Sequence, residues 1–177
     1  DLEKTLTIVR DRAGIKPLYY AKVGDSFVFG SEIKAILASK LIKAELDHEG
    51  LHQFLTFLWT VHDKTLFRNI FQLPPAHFLV WKNGEIDIKE YWDLDFSREE
   101  NDKSEDFWRE NVFETLEKTV QMEMISDVPI GAFLSGGVDS SAIVAFMTKY
   151  SKQKISTYTA GISAEDLQFD IIPDDVV

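Results

Sequence analysis

Between Pro129 and Ser141 the chain reads PIGAFLSGGVDSS. PIGAFL is a short apolar run of the kind that forms a buried parallel strand. The next residues turn. Gly136 and Gly137 lack side chains, permit positive φ and let a ligand approach the main chain. Successive N–H groups can then point into one concavity and bind an anion. Ser140 and Ser141 add hydroxyls at the first turn of a following helix, AIVAFMTKY, whose N-terminus offers partial positive charge and free N–H groups. A phosphate or pyrophosphate suits such a loop. Asp139 conflicts with it, because a carboxylate repels phosphate. A divalent cation between the two resolves the conflict. The string is neither GxxxxGK[ST], since no Lys follows the glycines, nor GxGxxG. A plainer reading is a Gly-Gly turn with Asp139 as a helix cap. The full seven-residue string SGGVDSS, set between a buried strand and a helix, favours the anion site.

Working outward, KISTYTAGI reads as a second strand after the helix. The order strand, loop, helix, strand predicts an α/β unit with a parallel sheet. Upstream, residues 107, 108, 112, 113, 116, 120 and 124 are apolar at helical spacing, which predicts a long amphipathic helix. Before it, residues 93–106 hold seven acidic and two basic residues and read as an exposed linker. The amino-terminal part is richer in strand signals. TLTIVRD alternates as a half-buried strand, and Ala13-Gly14 and Lys16-Pro17 break it. PLYYAKV and SFVFG flank Gly24-Asp25 as a hairpin, and HFLVWK and EIDIKEYW flank Asn83-Gly84 as another. Ser31 is the expected cap of a short helix, IKAILAS, and Asp47 that of a second, GLHQFLTFLW. Pro74-Pro75 ends the segment TLFRNIFQL. The final stretch, EDLQFDIIPDDVV, has five acids and no base.

Composition narrows the function classes. The 177 residues carry 19 Lys and Arg against 30 Asp and Glu, a net charge of −11. That balance argues against a general nucleic-acid or membrane-surface binder. The chain has no Cys, which removes disulfides, thiolate zinc sites and a cysteine nucleophile within it. No apolar run reaches the roughly 18–20 residues that span a bilayer. The start is charged, lacks Met and lacks a signal peptide's apolar stretch. A cytoplasmic setting is the expectation.

DRAGIKPLYY, FGSEIKAIL, TLFRNIFQLPPAHFLV and SDVPIGAFLSGGVDSS occur in the order found in glutamine-hydrolysing asparagine synthetases, and the chain resembles that family from Thr5 to about Gly161. SGGVDSS itself resembles the pyrophosphate loop of enzymes that cleave ATP between its α and β phosphates. The resemblance implies a class II glutaminase domain joined to an ATP-dependent synthetase domain. Residues 1–96 would be an α+β remnant of an αββα, Ntn-type glutaminase fold, 97–105 an acidic linker, and 106–177 the α/β start of an adenine nucleotide alpha hydrolase-like domain. It implies ATP and Mg²⁺ as cofactors, and ATP, aspartate and glutamine or ammonia as substrates. No nucleic acid or membrane partner is expected, and a homodimer is left open. The ATP- and pyrophosphate-binding set is Leu134, Ser135, Gly136, Gly137, Asp139, Ser140, Ser141 and Ala160, with Asp139 as the magnesium ligand. The family's glutaminase nucleophile is an N-terminal Cys, absent here, so the chain is expected to be a central fragment that is inactive alone. β-Lactam synthetases and related amidotransferases share these stretches, and a non-catalytic regulatory relative is a further alternative.

Other candidates carry plainer readings. His48-Glu49-Gly50-Leu51-His52 matches the zinc-protease string HExxH. Asp47 as cap puts His48 in a first turn beside a Gly, a weak helix start rather than a rigid platform, and no third-ligand motif follows. His62 and His77 stand alone. Asp11, Arg12 and Lys16 are expected to brace a tight turn by bonding main-chain groups and each other. Glu32 suits the positive end of a helix. Phe54, Phe57 and Leu58 are expected in the core.

Overall fold

A computed structural model describes residues 3–97 and 102–161. The chain divides into two compact units, Asp1–Arg98 and Glu99–Val177. EDLQFDIIPDDVV lies outside the described residues.

The first unit is mixed helix and strand. Strands β1 (Thr5–Val9), β5 (His77–Lys82) and β6 (Glu85–Glu90) form one antiparallel sheet, in the order β1-β5-β6. Strands β2 (Tyr19–Val23), β3 (Ser26–Gly30) and β4 (Phe71–Gln72) form another, in the order β3-β2-β4. Both expected hairpins form. Val23 pairs with Ser26 around Gly24, whose φ is 57°. Lys82 pairs with Glu85 around Asn83 and Gly84, at φ 53° and 79°. Two successive positive φ values are what Asn-Gly supplies cheaply, and their twist matches that of the flanking strands.

The period of 2 in β2 sorts its side chains into layers. Tyr20 joins Ile8, Leu73 and Leu79 in a core shared by the two sheets. Its neighbour Ala21 faces the other way, onto Ile36 of helix α1 (Ile33–Ala38) and Ile70. Helix, sheet and sheet therefore stack as three layers. Helix α2 (His48–Phe57) starts at Asp47, whose carboxylate accepts from the Gly50 N–H at 2.8 Å.

Three expectations fail in this unit. Glu32, not Ser31, occupies the cap position of α1, without a side-chain bond, because the chain is still extended there (φ −136°). Helix α2 stops at Phe57, and Leu58 takes a left-handed φ of 62°. Phe54, Phe57 and Leu58 are 39%, 50% and 78% exposed rather than core: Phe57 stacks on Trp59, itself 65% exposed, and Leu58 turns away at the left-handed helix end.

In the second unit, Ser104 caps the 19-residue helix α3 (Glu105–Glu123) by accepting from the Phe107 N–H at 3.2 Å. Strand β7 (Gly131–Phe133) and strand β8 (Ser156–Tyr158) pair in parallel, with helix α4 (Val138–Tyr150) between them in sequence. Val120, Phe146 and Met147 form a small core between α3 and α4, joined by Ile130, Ala132 and Ile155 beneath. The expected burial of PIGAFL is wrong: Ala132 turns inward, but Phe133 is 84% exposed. A strand is buried on both faces only when both are covered, and α3 and α4 cover one.

Candidate functional site

The loop begins where β7 ends. Leu134 continues the ladder, its N–H donating to Tyr158 O at 2.9 Å. Gly136 then turns the backbone at φ 91°, a conformation that an L side chain strains. Gly137 is the N-cap of α4 at φ −69° and ψ 160°, and its carbonyl accepts the first helical bond, from Ser141 N–H at 3.1 Å. The amides of Val138, Asp139 and Ser140 thus lie in the first turn, where no helical carbonyl is available to them.

The serines converge. Ser135 Oγ lies 3.2 Å from Ser140 Oγ, and Ser140 Oγ also donates to Gly137 O at 3.1 Å. Ser135 Oγ also lies 3.5 Å from the Gly137 nitrogen, at the limit of a hydrogen bond. Sequence neighbours five apart are brought together because the glycine turn folds the strand end back over the helix start. Ser135, Gly136, Asp139 and Ser141 are exposed, while Leu134, Gly137 and Ser140 are half-buried. Asp139 sits in the first turn, not at the cap, so the helix-cap reading of Asp139 is displaced by Gly137. Ala160 lies just beyond β8. The residue before it, Thr159, donates its hydroxyl to Leu134 O at 2.6 Å, a contact the sequence reading missed.

Elsewhere the arrangement is structural. The turn after β1 is held by Arg10, not Arg12. Arg10 is buried and donates to Leu73 O at 2.6 Å, Gly14 O at 2.9 Å and Lys16 O at 3.1 Å. Asp11 accepts from the Ile15 and Lys16 amides at 2.9 and 3.0 Å. Those N–H groups, Lys16 first, hold its carboxyl below the ordinary 3.8. Arg12 instead lies over the Trp92 ring, 5.4 Å from its centroid. In the HEGLH string, Glu49 pairs with Lys64 at 2.8 Å and both His side chains are exposed. Gly50 is also a packed position: a Cβ there would stand 2.1 Å from Thr65 O. Among the described residues, no three His, Cys, Asp or Glu side chains converge on a metal site. No helix among them is long and apolar enough to cross a membrane.

Comparison with known proteins also divides the chain into two parts. The family described as a glutamine amidotransferase domain matches residues 1–92, and the asparagine synthase family matches residues 111–170. The chain is 38% identical over 169 residues to asparagine synthetase [glutamine-hydrolyzing] 3 of Bacillus subtilis, covering 93% of this chain and 27% of that protein. It is 33% identical over 157 residues to asparagine synthetase [glutamine-hydrolyzing] 1 of the same organism, covering 88% and 24%. Amidase chry2 of Gibberella zeae is 33% identical over 151 residues, covering 84% and 22%. The chain belongs to the glutamine-hydrolysing asparagine synthetase family. It spans about a quarter of the length of these relatives.

Proposed function

We propose that, in the complete protein, the loop from Leu134 to Ser141 binds the pyrophosphate portion of ATP during ATP-dependent amide formation. The observation that carries this is the loop geometry. Gly136 at φ 91° and the capping Gly137 leave first-turn amides and two serine hydroxyls 3.2 Å apart beside one strand end. Within PIGAFLSGGVDSS there is no Lys or Arg, so N–H dipoles and hydroxyls are what the loop's own residues offer an anion. We extend the set to Ala160 and read the second unit as the start of an adenine nucleotide hydrolase-like domain in the cytoplasm.

The donor chemistry fits a magnesium ion. Asp139 is the one carboxylate in the loop and is exposed. Magnesium takes one or two carboxylates together with phosphate oxygens and water. When bound, it would neutralise charge that Asp139 alone would otherwise oppose. At about 4 Å and an effective dielectric near 20, that repulsion is several kcal/mol per charge pair.

The chemistry then follows the need to activate a carboxylate. An aspartate side-chain oxygen attacks the α-phosphorus, the α–β phosphoanhydride bond breaks, and pyrophosphate leaves. Ammonia drawn from glutamine attacks the acyl carbon, AMP departs with the bonding pair, and a proton is lost. The loop stabilises the charge that develops on the leaving pyrophosphate.

A second reading keeps the chemistry and changes the acceptor, favoured by the likeness to an enzyme named as an amidase. One assay on the complete protein addresses both. With ATP, magnesium, ammonia and aspartate, the expected products are AMP, pyrophosphate and asparagine in equal amounts. ADP and phosphate would sink the pyrophosphate reading. AMP formation only with another carboxylate would move the acceptor and leave the loop's role standing.

A further inference from the structure

We infer that Thr159 is a positioning residue for the phosphate loop, an inference that rests on the nucleotide reading above. Phe133 pairs with Tyr158 at the last register position of β7 and β8, and Leu134 N–H donates to Tyr158 O at 2.9 Å. In a regular parallel ladder the Leu134 carbonyl would next accept from the amide two residues beyond Tyr158, that of Ala160. Strand β8 ends at Tyr158, and the Thr159 hydroxyl takes that place, donating to Leu134 O at 2.6 Å. A side chain thereby closes the final rung.

The consequence is directional. The peptide between Leu134 and Ser135 is planar and trans, so its C=O and N–H point in opposite directions. Holding the carbonyl toward β8 fixes the Ser135 N–H pointing away from β8. This is the first amide of the loop. The same bond keeps the negative end of the peptide dipole tied to Thr159, where it cannot rotate to oppose an anion. One peptide further on, Gly136 adopts φ 91° and has no side chain to limit its own rotation. The Thr159 bond therefore anchors the last peptide before the glycine turn, from the neighbouring strand. Thr159 does not touch the phosphates in this account; it acts through Leu134 and Ser135.

The test uses the complete protein. Magnesium–ATP affinity is measured by titration calorimetry for the native protein, Thr159→Val and Thr159→Ser, with melting temperatures alongside. Valine keeps the shape and loses the hydroxyl, and serine keeps the hydroxyl. We expect Thr159→Val to weaken magnesium–ATP binding about fivefold, the worth of one hydrogen bond. Thr159→Ser should stay within about twofold of the native protein, on the same hydrogen-bond scale. Melting temperatures should be alike. If Thr159→Val does not fold, Thr159→Ala carries the same comparison with serine. Native-like affinity in the hydroxyl-free variant overturns the inference, as does a serine variant no better than the valine one. A native protein that binds no magnesium–ATP overturns the nucleotide reading and this inference with it. Native binding with an unaffected Thr159→Val overturns the positioning role alone.

Discussion

Arg10 donates to three main-chain carbonyls from a buried position, and one of them belongs to Leu73, 63 residues away. Replacing it by Met would leave three acceptors short of a donor. We predict a loss of about 3 kcal/mol of stability, read from urea unfolding. A change below about 1 kcal/mol would mean that water serves those carbonyls equally well. The sequence drew attention to Arg12 because nothing local separates two arginines flanking one aspartate. The carbonyl of Leu73, which singles out Arg10, is a long-range partner. The Asp47 cap, by contrast, was legible, since a cap is a contact within one helical turn. Asp47→Ala should cost about 1 kcal/mol. The Gly50 N–H holds the Asp47 carboxyl below its ordinary 3.8. A depressed folded value means that the contribution is present above about pH 4 and fades as pH falls through it. The stability gap between native and Asp47→Ala proteins should therefore close in acid. A gap unchanged from pH 7 to pH 2 would contradict the carboxylate's role.

Helix α2 and its C-cap offer two positions where exchanging glycine for another residue runs in opposite directions. Gly50→Ala improves helix propensity by about 1 kcal/mol, but the new Cβ would meet Thr65 O at 2.1 Å. That backbone atom cannot swing aside as a side chain could, so the variant should lose roughly 2–3 kcal/mol despite the propensity gain. Leu58→Gly should gain about 1 kcal/mol, because Leu58 adopts φ 62° at the helix end and is 78% exposed. Denaturation midpoints of the two variants should move apart, and midpoints moving together would contradict the local account. The hairpins at Gly24 and Asn83-Gly84 were readable because two-residue turns carry their own chemistry. The pairing of β1 with β5 was not, since it joins Thr5 to Lys82 across the whole unit. The exposure of Phe133 was equally hidden, because an apolar side chain announces a wish to be buried and says nothing of what covers it.

At the scale of the molecule the two units differ in how much core they own. The first unit buries Ile8, Tyr20, Leu73 and Leu79 in one cluster and Ala21, Ile36 and Ile70 in another. The second buries Val120, Phe146 and Met147, while Trp108, Val112 and Phe113 of α3 remain 44%, 63% and 54% exposed. Small cores give small opening free energies. In this chain, amide exchange should be slowest in β1, β2 and β5 and faster by at least about a hundredfold in α3 and α4. Equal protection in both units would refute that ranking.

We propose that SGGVDSS holds the pyrophosphate of ATP, with Asp139 directed to magnesium. Gly137, not Asp139, caps α4, so Asp139→Asn removes a charge from the first turn and no capping bond. Only the helix-dipole term is lost, about 0.3–1 kcal/mol, and the melting temperature should barely move. The decisive measurement is magnesium-dependent exchange of labelled pyrophosphate into ATP by the complete protein, native and Asp139→Asn. Exchange should be lost in the variant while its melting temperature stays close to native. Exchange by Asp139→Asn at the native rate would contradict the magnesium role.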